Sequence, residues 1–183
     1  MPHRRRDPRH RSYKRIDNAL AHINAVIART GLMTPRQRLD YLAPVNVAMS
    51  MLRIGKGTPD HVANLADGLN IAAELCKRRI CNDHQAEIAA ALMALVAICQ
   101  RGQAAGAWTL LAAEVEALEE AVFIHTVQLD HCSCGEFESA TQAVIAMTRQ
   151  AAAGYAAAGV TVVDPITQGA NASEAAALLA AST

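Results

Sequence analysis

Apolar side chains recur at intervals of three and four residues along most of this chain, and this spacing limits its fold more than any other feature. Because an α-helix has about 3.6 residues per turn, such spacing places the apolar side chains on one helical face. Six segments show it: Ile16, Leu20, Ile23 and Ile27; Leu39, Leu42, Val45, Met49 and Leu52; Val62, Leu65, Leu69, Ala72, Cys76 and Ile80; Ile88, Leu92, Leu95 and Cys99; Leu111, Val115, Leu118, Val122 and Leu129; Phe137, Ala140, Val144 and Met147. The pattern predicts six helices and no sheet.

Helix-capping residues separate these segments. Thr34 is followed by Pro35 and, three residues after the cap, by Gln37, which is a capping box. Further candidate starts are Thr58-Pro59-Asp60, Asn82 with Gln85, and Ser133 with Glu136, and candidate stops are Gly31, Gly55 to Gly57, and a break near Arg101-Gly102. Short connections favour antiparallel neighbours. We therefore expect an all-α, mostly antiparallel bundle of five to six helices.

Charge is distributed unevenly, although the formal net charge is zero. Residues 1–15 carry a balance of +6 and the remaining residues −6. The basic side chains of the first segment are Arg4, Arg5, Arg6, Arg9, Arg11, Lys14 and Arg15. We interpret 1–15 as a disordered basic arm with two alternative roles. It either docks on phosphate or an acidic protein surface, or it is a solubilising tail, including one that lies on the acidic body of its own chain. We expect the bundle domain over 16–158 and a weakly ordered C-terminal tail over 159–183.

The third segment has features of a helix-turn-helix. The residues from Leu65 to Ala72 resemble the first helix and turn of that motif, and Lys77, Arg78 and Arg79 follow near the end of a recognition helix. However, the apolar stripe keeps its phase through Asn70, where a turn would break it. We favour one continuous helix over a DNA-reading element at 62–80.

Thiols and imidazoles are predicted to gather at one end of the bundle. Cys81 and His84 precede the fourth helix, and His131, Cys132 and Cys134 end the fifth, which is expected to run antiparallel to it. Cys76 reaches the same end from the third helix. Zinc takes four nitrogen or sulfur ligands in a tetrahedron, so the corner is a candidate zinc site. The alternative is that these cysteines fill small apolar gaps.

Two further features have structural and functional interpretations. His125 continues the fifth stripe and is expected to face inward, as a core histidine or as a switching or catalytic group. The basic turn from Arg53 to Pro59 contains fragments of a phosphate loop without its full pattern. It is either an anion site ahead of a helix or a simple connector.

Neither export nor membrane insertion is expected. The basic start leads into a helix with polar residues rather than into the apolar segment that a secretory signal needs. The run from Ala89 to Cys99 is far short of the roughly 20 residues of a membrane span, so we interpret it as a core helix. The five cysteines are then reduced thiols of a cytoplasmic protein.

A resemblance to a known group rests on three short stretches, Gly57-Thr58-Pro59-Asp60-His61, Leu65-Ala66-Asp67 and Asn70-Ile71-Ala72. This pattern is similar to that of uncharacterised helical proteins carried by bacterial prophages and mobile elements. The resemblance implies a small accessory protein, and it implies no activity and no site residues.

Function is predicted in two classes. No nucleophile and base stand at a diagnostic catalytic spacing, so we expect no enzyme. The leading hypothesis is a protein-binding or self-associating helical module, such as a homo-oligomer or a phage accessory protein that acts on a host protein, because alanine-rich helices permit close contact with a partner. The alternative is a nucleic-acid-binding protein that uses the basic arm, with or without the 62–80 element. No cofactor is expected apart from zinc at the cysteine corner.

Overall fold

The computed structural model describes residue 21 and residues 25–157 of the chain, with side chains as far as residue 151. The predicted arm over 1–15, with its seven basic side chains, and the predicted tail over 159–183 lie outside the described residues. The domain bounds that rest on these two segments therefore stay predictions.

Helices account for nearly all regular structure in the described residues, which confirms the all-α prediction. α1 is described over 25–30, and it is followed by α2 (Pro35–Arg53), α3 (Pro59–Lys77), α4 (Gln85–Ala105), α5 (Ala112–His131) and α6 (Cys134–Ala157). One 3-10 turn, Asn82–His84, precedes α4. Across the described part no strand is formed, and a single isolated bridge joins Leu32 to Ser133.

α3 is the central helix, because it packs against α2, α4, α5 and α6. Short connections make consecutive helices antiparallel. The ion pairs Arg53–Glu119 and Arg38–Asp130 join opposite ends of α2 and α5, so these two helices are antiparallel as well. α3 therefore runs parallel to α5 and antiparallel to α2, α4 and α6.

Two clusters of buried side chains make up the core around α3. The larger one includes Leu52, Leu65, Leu95 and Leu118, which come from α2, α3, α4 and α5. The smaller one joins Leu75 and Leu129 to the start of α6 and to Met33 in the loop before α2. The apolar stripes of the sequence thus account for most of the buried surface.

Two of the predicted capping boxes are confirmed and one is wrong. Thr34 N–H donates to Gln37 Oε1 at 2.8 Å, and Gln37 N–H donates back to Thr34 Oγ1 at 3.3 Å. Ser133 and Glu136 make the same reciprocal pair before α6. The Asn82 and Gln85 box does not form, because Cys81 adopts a left-handed conformation with φ of 55° and leads into the 3-10 turn.

The helix break predicted near Arg101-Gly102 is also wrong. α4 continues to Ala105 and ends at Gly106, whose φ of 68° is left-handed. Gly102 lies inside the helix because the Trp108 indole packs on it: a Cβ at this position would stand 2.4 Å from Trp108 Cε3. The glycine therefore marks a close packing contact rather than a helix end.

The structure favours one continuous helix over the helix-turn-helix. α3 runs without interruption from Pro59 to Lys77, and Asn70, at the position of the supposed turn, is helical. Gly68 is buried in the α3 to α2 contact, since a Cβ there would lie 3.1 Å from Val45 Cγ2. This excludes a DNA-reading helix-turn-helix at 62–80, because a single helix occupies the segment in which that motif needs two helices.

Candidate functional site

The outer side of α4 is apolar over about three turns, and we call its exposed residues Ala89, Ala90, Met93 and Val96 the α4 face. Met93 exposes 68% of its surface and Val96 exposes 48%. No polar residue lies between Glu87 and Gln100, so the exposed side of this stretch has no charge and no hydrogen-bonding side chain. A surface helix of a globular protein ordinarily carries polar residues on its outer side.

The other side of α4 is fully used by the fold. Ile88, Ala91, Leu95 and Ile98 are buried between α3 and α5. These residues follow the spacing of three and four that the sequence displays, and their burial holds the helix in one orientation. The α4 face is consequently presented on a rigid element, and its direction is set by the core.

Phe123 and Leu39 are two other exposed apolar side chains, and both lie among charges. Phe123 on α5 exposes 68% of its surface, but Glu119 and Glu120 lie within one turn of it on exposed positions. Leu39 on α2 exposes 62% and adjoins Arg36 and Asp40, which pair with each other at 2.9 Å. Isolated exposed apolar residues of this kind are normal on protein surfaces, whereas a continuous apolar face marks an interaction site.

Two of the three basic residues predicted to contact nucleic acid at the end of α3 form ion pairs within the fold. Lys77 and Arg78 both pair with the Glu74 carboxylate, and Arg78 also reaches the Ser139 carbonyl oxygen at 3.3 Å. The hydrogen bond from Lys77 holds the pKa of Glu74 below its usual value. Arg79 occupies a left-handed position with φ of 67° in the turn that follows. Lys77 and Arg78 are thus partly neutralised by one acid.

The predicted thiol and imidazole corner is divided between separate packing environments. Cys76 donates its Sγ–H to the Cys81 carbonyl oxygen at 3.2 Å, whereas the Cys132 thiol packs 3.9 Å from Met33 Sδ. Burial raises the pKa of Cys132 to about 11, so its thiol stays protonated at neutral pH. His84 faces Glu87, His131 is exposed, and Cys134 lines a surface groove of about 400 Å³.

Metal binding was the functional hypothesis for this corner. Within the part of the chain that the structure describes, no group of three or more His, Cys, Asp or Glu side chains is arranged to hold a metal ion.

His125 faces inward, as the fifth stripe predicts, and its side chain has no exposed surface. Its Nδ1 lies 3.1 Å from Gln128 Oε1. The Gln128 amide nitrogen donates to the Ala72 and Ile80 carbonyl oxygens, so its Oε1 is the acceptor and His125 Nδ1 carries the hydrogen. Burial lowers the pKa of His125 to about 4. The imidazole is a neutral core group that is closed off from solvent.

The turn from Arg53 to Pro59 forms a packed connector. A Cβ on Gly57 would stand 2.4 Å from the Trp108 carbonyl oxygen, so the Trp108 backbone covers this glycine. Arg53 pairs with Glu119 of α5. An anion cradle needs open backbone N–H groups, whereas Gly57 is covered, and Arg53 is already paired. The connector interpretation is favoured.

Comparison with known proteins found no similarity. No family model, no curated protein and no solved structure matches this chain. The resemblance to prophage proteins stays a prediction. Any functional conclusion accordingly depends on the surface and core described above.

Among the described residues, one helical stretch, Asn82–Ala105, is long and apolar enough to cross a membrane by length and composition alone. The core helix of a soluble protein passes the same criterion, and one such helix is weak support for a membrane role. Only 28% of the most apolar part of this stretch is buried, so the helix that was predicted as a core helix contributes one side to the core and exposes the other. The signal for the α4 face was therefore present in the sequence, as an apolar run too long for one buried stripe.

Proposed function

We propose that this protein is a non-enzymatic, protein-binding helical module that docks another protein surface on the α4 face. The observation that carries the proposal is the run of exposed apolar side chains from Ala89 to Val96 on a helix whose other side is locked into the core. Binding at this face adds apolar contact without requiring the helix to move.

The physical basis is the removal of apolar surface from water. Burial of such surface contributes about 25 cal/mol per Å², and a rigid helix loses little conformational entropy on binding. The interface core of protein complexes is enriched in Met and depleted of charge. Met93 and the absence of charge on the α4 face fit this pattern, whereas its two alanines do not. Small alanine side chains around Met93 also allow a partner helix to approach closely.

The interior gives no support to a catalytic alternative. Burial lowers the pKa of His125 to about 4, its side chain has no exposed surface, and its Nδ1 is held by Gln128. A general base must reach the proton that it abstracts, and this imidazole cannot reach a substrate in solvent.

The nucleic-acid alternative now depends on the arm alone. The helix-turn-helix element is absent, and Lys77 and Arg78 share the Glu74 carboxylate. The arm and the cytoplasmic location stay predictions, as does action on a host protein.

A photo-crosslinking experiment tests the proposed function. A photoreactive amino acid replaces Met93 in the full chain, and the control chain carries it at Leu39, which is similarly exposed on α2. Irradiation should give a discrete protein adduct from position 93 and none from position 39. The proposal is wrong if position 93 gives no protein adduct, or if both positions give the same adducts.

A further inference from the structure

We propose that the occupant of the α4 face is a second copy of this chain, paired through α4 in antiparallel orientation about a two-fold axis near Met93. This inference rests on the proposed function and specifies the partner. A two-fold pairing uses the same patch on both copies, so the patch must be complementary to itself. The charges and the side-chain sizes of α4 meet that requirement.

Charge complementarity comes from the two ends of the α4 face. Glu87 lies before it and Arg101 lies after it, 14 residues apart. This separation is close to four full turns, so both side chains lie on the same side of the helix. Antiparallel pairing about Met93 then brings Glu87 of each copy within about one turn of Arg101 of the other, on the same flank. Parallel pairing would instead place Glu87 of each copy at the level of Glu87 of the other, far from Arg101.

Arg101 retains the hydrogen-bonding capacity for this role. It donates to both Glu114 carboxylate oxygens, each at 2.6 Å, and to the Thr109 carbonyl oxygen at 3.1 Å. A guanidinium has five N–H donors, so two remain for an acceptor from outside. The bidentate pair with Glu114 also fixes the position of the guanidinium at the end of the face.

Side-chain size is complementary in the same arrangement. At a rise of 1.5 Å per residue, Val96 of the second copy falls level with the midpoint between Ala89 and Met93 on the matching flank. Ala90 falls level with Ala97 of the second copy on the opposite flank. The side chain of Val96 thus enters the space between Ala89 and Met93 of the other copy. Ala90 and Ala97 are small enough to let the two helices approach closely, as in knobs-into-holes packing.

The expected complex is a weak dimer. One helix per copy gives an interface at the low end of the roughly 1,200–2,000 Å² of stable complexes. We therefore expect a concentration-dependent equilibrium between the 19.4 kDa chain and a species of twice that mass.

Sedimentation velocity over a range of concentrations tests the association. The wild-type chain should shift from monomer to dimer as concentration rises. Met93→Glu should remain monomeric because its charge would be buried against apolar surface, and the matched variant Leu39→Glu should still dimerise. Circular dichroism confirms that both variants are folded. A wild-type chain that is monomeric throughout, or a Met93→Glu chain that dimerises like the wild type, overturns the inference.

Disulfide trapping tests the orientation. Antiparallel pairing places residue 86 of one copy near residue 100 of the other. A mixture of Ala86→Cys and Gln100→Cys chains should therefore form a covalent dimer under a mild oxidant, well above the level given by either variant alone or by the wild type, which carries the native thiols. Efficient self-linking of Ala86→Cys alone would indicate parallel pairing and contradict the proposed geometry.

The photo-crosslinking experiment separates failure of this inference from failure of the proposed function. Adducts from position 93 to a second copy support both. Adducts only to a different protein, with a monomeric wild-type chain, retain the protein-binding function and overturn self-pairing. A third outcome is that position 93 gives no protein adduct, while the wild-type chain floats with lipid vesicles and Met93→Glu does not. This result would assign the α4 face to a membrane and would overturn both the self-pairing and the protein-binding function.

Discussion

His125 and Gln128 form a buried hydrogen-bonded pair on α5, with Nδ1 of the histidine 3.1 Å from Oε1 of the glutamine. Both side chains have no exposed surface. Through its amide nitrogen Gln128 also donates to the Ala72 carbonyl oxygen at 3.1 Å and the Ile80 carbonyl oxygen at 3.0 Å. The pair therefore ties α5 to the central helix and to the turn that follows it.

Replacement of Gln128 should destabilise the fold. Gln128→Ala leaves the Ile80 carbonyl oxygen and the His125 Nδ1–H without their partner and opens a cavity, so we expect a loss of about 2–4 kcal/mol in the free energy of unfolding. Chemical denaturation measures it. Gln142→Ala, an exposed glutamine on α6, is the matched control and should change stability by less than about 0.5 kcal/mol. Equal effects of the two substitutions would contradict the assigned role.

Stability should fall as the pH falls from 6.5 to about 4. Burial lowers the pKa of His125 to about 4 in the folded chain, against 6.5 for the ordinary side chain. Between these values the unfolded chain binds a proton that the folded chain does not, so stability is complete above pH 6.5 and is lost below it. The free energy of unfolding should therefore fall by about 3 kcal/mol between pH 6.5 and pH 4.

Urea denaturation at a series of pH values measures this dependence. Glu74 and Glu136 have a lowered pKa in the folded chain, so they also make stability depend on pH. Their contribution to stability is lost only below pH 4.5, the ordinary pKa of a glutamate. His125→Gln should flatten the profile between pH 6.5 and 4.5, and His131→Gln, at an exposed site, should preserve it. An unchanged profile in His125→Gln would show that another group causes the dependence.

Arg79→Gly should stabilise the protein. Arg79 has φ of 67°, its N–H donates to the Cys76 carbonyl oxygen, and the Ile80 N–H donates to the Leu75 carbonyl oxygen, which together form a helix-ending Schellman motif. Glycine adopts this conformation without the strain of a Cβ, so we expect a gain of about 1 kcal/mol. Thermal unfolding measures the gain. Lys77→Gly, inside the last turn of α3, should have the opposite sign, and a loss in both variants would refute the assignment.

Gly102→Ala should cost about 1–3 kcal/mol, because the added Cβ would stand 2.4 Å from the Trp108 ring and must displace it. Trp108 is the single tryptophan of the chain, so its fluorescence reports the displacement directly. Gly31→Ala is the matched control, since a Cβ there meets only ordinary contacts of 3.7 and 3.8 Å. A Gly102→Ala chain with unchanged stability and unchanged emission would show that Trp108 does not pack on the helix as described.

Most of the fold was predictable because local rules acted alone. The Thr34 box, the Ser133 box and the inward position of His125 depend on spacing within one helix, and the structure has all three. The errors at Gly102 and at Asn82 have a common cause: a glycine or a cap residue is ambiguous until its neighbours in space are known. Trp108 supplied that neighbour in the first case, and the left-handed Cys81 redirected the chain in the second.

The candidate site was less accessible to prediction. The sequence predicts a basic cluster of Lys77, Arg78 and Arg79. In the structure Lys77 and Arg78 share the Glu74 carboxylate. These ion pairs follow from the spacing only if one helix continues past Asn70. The α4 face was visible as an apolar run and was interpreted as core. Periodicity does not show which side of a wholly apolar helix is covered.

The sequence by itself determined the helices, most of their ends and most of the residues that each one buries, because 3.6-residue periodicity and capping chemistry act over a few neighbouring residues. Leu39 and Leu111 belong to the predicted stripes but are exposed. Only the tertiary structure decided that α3 is central, that Gln128 joins three segments of chain, and that α4 has partners on just one side. These outcomes depend on contacts between residues far apart in the chain. The free energy of such contacts is set by which surfaces the whole bundle can bury together, and for α4 the bundle leaves one apolar surface uncovered.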